Sequence, residues 1–366
     1  MGGDKFYLEV PPSDGYTDGM KLTTRILTLS AALAAAFAFS PPPVSAAKSA
    51  PTYHLVRKVS LPGDGGWDYL TADPDNHRLF ITRGTHVQVV DTKTGTLAGD
   101  IGPLGGVHGV ALAPQAGRGF ISDGKADSIA VFDTKTLRLL APINAGTRPD
   151  AIIYDPSTRR VFSFNGGSND STAINSATQT VAGTIALGGR PEDAVADGQG
   201  HIYVNLEDKS QVVEVDAKAL TVMHTWSLAP GTAPSGLAID AKNRRLFSVC
   251  DNNKMVVMDA DTGAIVATPA IGNGPDACAF DPATRLAFSP NGEDGTMTLV
   301  HEDSPRAFTV VGTITTQAGA RTFALDPKTH HIFSVTATPA LTAPDPAHPR
   351  RRSYVPGSFV LLEYAP

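Results

Sequence analysis

Seven copies of one short pattern constrain this chain more than any single residue does. An acidic residue or its stand-in, usually followed by Pro, precedes by about seven residues an aromatic that ends a small apolar run. The copies begin at Asp73, Ala113, Asp155, Asp197, Asp240, Asp281 and Asp326, and their aromatics are Phe80, Phe120, Phe162, Tyr203, Phe247, Phe288 and Phe333. The steps between copies are 40, 42, 42, 43, 41 and 45 residues. A period near forty with strand-like patterning inside each copy predicts a β-propeller with one four-stranded sheet per repeat. Seven copies predict seven blades.

The third repeat shows the pattern within a blade. Residues 150–154 are a short apolar strand, Asp155-Pro156-Ser157-Thr158 is a turn, and residues 160–164 are a second strand broken by Asn165-Gly166-Gly167. Asp and Pro stand where turn geometry favours them. A third strand runs to Asn175, where sister repeats carry Asp91, Asp133, Asp216 and Asp259, and a Thr-rich turn leads to a fourth strand from Thr180 to Leu187. Val, Ile, Phe and Thr dominate these runs, as half-buried strands require. The chain ends predict how the ring closes. Thr52 to Leu61 reads as a fourth strand lying before the first copy, while the last copy stops after its third strand at residues 358–363. The N-terminal strand is therefore expected to complete blade seven and leave no open face.

Lys21 and Arg25 precede an apolar run from Ile26 to Phe39, followed by Pro41-Pro42-Pro43 and the small-residue site Val44-Ser45-Ala46. Residues 20–46 read as a secretory signal peptide, because the run is shorter than the ~20 residues of a membrane span. Residues 1–19 read as a misassigned upstream start or an added leader, and residues 47–366 as a single propeller domain, periplasmic or secreted, without a transmembrane anchor and monomeric. Three cationic and four acidic residues lie before Ala47, so the formal charge of −6 becomes −5. A mildly acidic body disfavours a nucleic-acid partner. Export permits a disulfide between Cys250 and Cys278, and two apolar thiols are the alternative.

The repeat resembles the YVTN type, and the chain is similar to exported YncE-like propellers. The resemblance rests on openings such as Gly146-Thr147-Arg148-Pro149, Gly188-Gly189-Arg190-Pro191 and Gly272-Asn273-Gly274-Pro275, on the Asp-Pro turns, and on endings such as Asp91 to Gly95 and Asp259 to Gly263. It covers about 300 residues. It implies the fold and leaves function open, because such propellers serve unrelated purposes.

Aligning the repeats five residues before each turn position gives Asp68, His108, Asp150, Glu192, Ser235, Asp276 and Arg321, a polar ring expected at one mouth of the central channel. Asp68, His108, Asp150, Glu192 and Asp276 are candidate ligands for a divalent cation, the carboxylates suiting Ca²⁺ or Mg²⁺ and the imidazole a transition metal. Polar groups beside a water-filled channel are the alternative. Arg148 and Arg190 are candidates to hold an anionic group. Trp67 and Tyr69 flank Asp68 and are candidates for stacking on a sugar, an aromatic ring or a cation, with packing between blades as the alternative. The segment from Thr336 to Gly357, with five prolines and Arg350-Arg351-Arg352, is expected on the same face, as a lid or as a surface excursion. His-Glu-x-x-His, Gly-x-Ser-x-Gly, Walker and haem-attachment patterns are absent. The expected function is binding of a small ligand or protein partner at the mouth. The alternatives are a metal-assisted, lactonase-like hydrolase or lyase and a single-stranded nucleic-acid binder.

Overall fold

The computed structural model describes residues 51–340 and 353–366. They form seven antiparallel sheets of four strands each. In six sheets the strands follow chain order; blade three, for example, is Pro149–Asp155, Arg160–Asn165, Asp170–Asn175 and Thr180–Ala186. The seventh consists of Phe323–Leu325, Ile332–Thr336 and Val360–Ala365, with His54–Ser60 as its outer strand. His54 pairs with Ala365 and Ser60 with Val360. The chain start thus completes the last blade, as expected from the lengths of the first and last repeats. Arg57 reinforces the seam through an ion pair with Glu363 and a 2.9 Å hydrogen bond to the carbonyl of Lys93 in blade one.

The repeated aromatics explain why the sheets form a ring. All seven are at most 2% exposed. Each joins a separate apolar cluster between its own blade and the next. Phe162 packs with Ile202 and Val204 of blade four, and Phe333 packs with Leu79 and Ile81 of blade one. The second and third strands are buried almost throughout because both of their faces meet a neighbouring blade. The outer strand Thr180–Ala186 is mostly exposed. The turn acids do local work. Asp155 accepts hydrogen bonds from the Ser157 and Thr158 amides at 3.2 and 3.0 Å.

Cys250 and Cys278 are both free thiols, so the alternative without a bridge describes this structure. Among the described residues no helix is long and apolar enough to cross a membrane. The leader and signal-peptide expectations lie outside the described residues, as do Arg350 to Arg352 of the expected lid. The described ends of that segment are joined by a bridge between Pro339 and Tyr354 and by a 2.9 Å bond from the Ala340 amide to the Ser353 carbonyl.

Candidate functional site at the channel mouth

The polar ring is built by a backbone irregularity repeated from blade to blade. In blade three, Pro149 pairs with Asn165 but Ile152 pairs with Ser163, leaving one residue extra on the inner strand. Blades two, four and five show the same shift at residues 107–110, 191–194 and 234–237. Such a bulge re-aims side chains. It contains His108, Asp150, Glu192 and Ser235 together with the residue after each. That following position is Gly109, Ala151, Gly236, Ala277 or Thr322 in five blades, because neighbouring backbones approach closely there. A Cβ on Gly236 would lie 2.2 Å from the carbonyl carbon of Ala277.

Two blades break this rule, with Tyr69 and Asp193. Tyr69 reaches from blade one to blade four, where its hydroxyl donates to the Glu192 carbonyl at 3.2 Å, and it packs against the apolar cluster of blades three and four. The Asp193 carboxylate accepts hydrogen bonds from the amides of Ala194 at 2.8 Å and Leu237 at 2.9 Å. Asp193 was missed by alignment on the ring position alone. The signal was present one column later, as an acid among small residues.

The ring residues form three groups. Asp276 is paired with Arg321 at 2.6 Å, and Arg321 also donates to the Trp67 carbonyl at 3.0 Å. Glu192 shares a hydrogen bond with Glu207, which is ion-paired to Arg190. His108 Nδ1 lies 2.7 Å from Asp68 and 3.4 Å from Asp150. Of the five residues proposed as metal ligands, the structure thus brings three together and gives Glu192 and Asp276 other partners. Ser235 donates to the Pro275 carbonyl and serves the fold. Trp67 is 4% exposed and packs 4.8 Å from Tyr354 and 5.5 Å from Phe359, so its ring belongs to the seam between blades seven and one rather than to a stacking surface. Arg148 adopts the left-handed conformation (φ 54°), and its amide donates to Asp127 at 2.8 Å. Its guanidinium has no ion pair among the described residues. His108, Arg148, Asp150, Arg190 and Glu192 line a cavity of about 40 Å³, room for a few waters or one small ion.

The ring holds protons. Burial opposes the charge on His108, but the hydrogen bond to Asp68 and the charges of Asp150 and Asp68 outweigh it and lift the imidazole to about 9. Burial, with neighbouring carboxylates adding to it, raises Asp150 to about 6, Asp193 and Asp276 to about 7, and Glu192 to about 10. The side chains of Asp68, His108 and Asp150 remain 24–35% exposed, so water in the channel moderates these shifts. Every shift named is upward, so the folded state holds protons that the unfolded chain has released. The His108 contribution is complete below its ordinary value of 6.5 and is lost as pH rises through 9. The acids lose theirs from about pH 4 upward. The melting temperature is therefore expected to fall by several degrees between pH 6 and pH 9, a trend that calorimetry can measure. A rise over that interval would contradict the assignment.

No protein-family model matches the sequence, and comparison with curated proteins finds no match. Solved structures do match in fold. Kuenenia stuttgartiensis hydrazine synthase aligns with TM-score 0.67 at 15% identity, over 75% of this chain and 94% of that one. U3-55K aligns with TM-score 0.69 at 10% identity, over 85% of this chain and 98% of that one. At such identities the likeness shows the seven-bladed fold alone.

Proposed function

We propose that this protein is a binding module that takes a small, polar, anionic ligand at the channel mouth, its acid group entering the cavity, a cup of about 40 Å³ beside Arg148, and the rest of the molecule standing outside it, with its hydroxyl groups in reach of the ring carboxylates. The observation that carries this reading is the cavity that His108, Arg148, Asp150, Arg190 and Glu192 line together, since concave sites with a few convergent polar groups are where ligands bind. Arg148 is exposed beside the cavity with no ion pair among the described residues, and its guanidinium suits a carboxylate or phosphate. The YVTN-type, YncE-like resemblance and the signal-peptide pattern extend the proposal to an exported, monomeric protein. The acidic ring and body disfavour a nucleic-acid strand.

The test is a thermal-shift panel of sugar acids, dicarboxylates and sugar phosphates, followed by titration of any compound that stabilises. Arg148→Glu is expected to weaken binding by about tenfold or more, since charge-assisted hydrogen bonds are worth roughly 1.5–3 kcal/mol. A panel with no stabilising compound, or a ligand indifferent to Arg148→Glu, would count against the cup. A second reading, lactonase-like hydrolysis, is favoured by one feature: His108 lies between two carboxylates beside the cavity. Turnover of a lactone panel that disappears with His108→Gln separates hydrolysis from binding.

A further inference from the structure

We infer that His108 Nδ1, Asp68 Oδ2 and Asp150 Oδ1 form a site for one divalent transition-metal ion, with its open coordination positions towards the cup. The inference deepens the binding reading above and rests on it. Three blades in succession supply the three donors, and their donor atoms all lie within 4.8 Å of one another. An ion about 2.1 Å from each donor needs donor separations of roughly 3.4 Å. The His108–Asp150 distance of 3.4 Å already meets this, and the 2.7 Å His108–Asp68 hydrogen bond must open slightly and give up its Nδ1 proton as the ion enters.

The backbone around these donors is tied across the blade boundaries. The Tyr69 amide, next to Asp68, donates to the His108 carbonyl at 3.1 Å. Ser122 accepts from the Gly109 amide at 2.9 Å and donates to the Asp150 carbonyl at 2.5 Å. The imidazole rests against Gly124, where a Cβ would approach its Nε2 to 2.8 Å. That leaves Nδ1 facing the carboxylates. Preorganised supporting contacts of this kind are what orient metal ligands.

The donor types select the ion. One imidazole nitrogen with two carboxylate oxygens suits Zn²⁺, Co²⁺, Mn²⁺ or Fe²⁺ better than Ca²⁺ or Mg²⁺, which prefer all-oxygen shells. Three protein ligands leave room for water or a ligand oxygen. His108 and Asp150 also line the cavity beneath Arg148. An acid group seated there can meet the ion and the guanidinium together, which is the ligand chemistry proposed for the cup.

The test is titration of chelator-stripped protein with Co²⁺ and Zn²⁺, read by calorimetry and by the visible spectrum of bound Co²⁺. One saturable site is expected. Asp68→Asn, Asp150→Asn and His108→Gln should each weaken it by about tenfold or more, and Asp261→Asn, at an exposed turn where it pairs with Arg244, should leave it within about threefold. If a ring variant fails to fold, paramagnetic broadening of the His108 resonances by Co²⁺ in the wild-type protein decides the same question. Absence of saturable binding, or binding that ignores all three ligand substitutions, overturns the assignment. Anionic-ligand binding that depends on Arg148, in a protein that shows no saturable metal binding, would remove the metal and spare the cup. Metal binding with no anionic ligand in the panel would spare the metal and remove the proposed ligand.

Discussion

A variant lacking residues 51–61 is expected to aggregate or to melt far below the full chain. The strand His54–Ser60 is the whole outer edge of blade seven, paired with Val360–Ala365. Its flanking residues serve two different blade interfaces. Tyr53, 3% exposed, packs edge-on against Phe288 at 5.3 Å between blades six and seven. Leu61, 4% exposed, joins Trp67 and Phe333 in the cluster between blades seven and one. Loss of a buried large side chain costs about 2–5 kcal/mol. Two such losses approach the ~5–15 kcal/mol that stabilises a typical domain. The deletion also leaves Glu363, 4% exposed, without Arg57. Thermal unfolding followed by circular dichroism measures the effect. A wild-type melting temperature in the deletion variant would mean that the ring does not depend on this strand.

Gly236→Ala is expected to be the most damaging single-methyl change among the inner strands. The added Cβ would sit 2.2 Å from the carbonyl carbon of Ala277, 2.3 Å from the amide of Cys278 and 2.5 Å from the Ala277 Cα. All three are backbone atoms of blade six, so no side chain can rotate away. Relief requires blades five and six to separate at the channel, where Asn205 also holds the Ser235 and Gly236 carbonyls at 2.8 and 3.2 Å. Overpacking costs about 1–3 kcal/mol and occasionally more, and a backbone clash this close belongs at the upper end. Gly312→Ala is the matched control, since a Cβ there meets nothing within 4 Å. Denaturant titration of both variants should separate them by at least about 2 kcal/mol; equal stabilities would contradict the close approach of these blades.

The ring of blades was legible because each repeat carries its own interface. One aromatic per copy, at a fixed distance from a turn, is enough to place seven apolar clusters between seven sheets. The clustering of Asp68, His108 and Asp150 was legible for the same reason, since one alignment column gives one residue per blade. The pairing of those residues was harder to read. Arg321 takes Asp276 from the previous blade, whereas Glu192 turns to Glu207 and the Arg190 pair in its own blade. That choice depends on side-chain reach across a bulge, which repeat spacing does not encode. Trp67 shows the same limit. The repeat pattern brings it to the mouth, but its ring lies among Leu61, Tyr354 and Phe359, residues supplied by the chain start and the last blade. Tyr69 was singled out as a stacking group. The structure instead packs it against the apolar cluster of blades three and four, with its hydroxyl on the Glu192 carbonyl.

The most direct test of the cup is the imidazole NMR signal of His108 during titration with an anionic compound that stabilises the protein. The His108→Gln variant assigns that signal among the ten histidines. The account predicts a saturable shift at His108, while His201, His224 and His331, which pair with Glu214 and Glu363 within blades four and seven, stay where they are. A stabilising ligand that leaves His108 unmoved, or that shifts those outer histidines instead, would place the binding site elsewhere on the propeller and contradict the central claim.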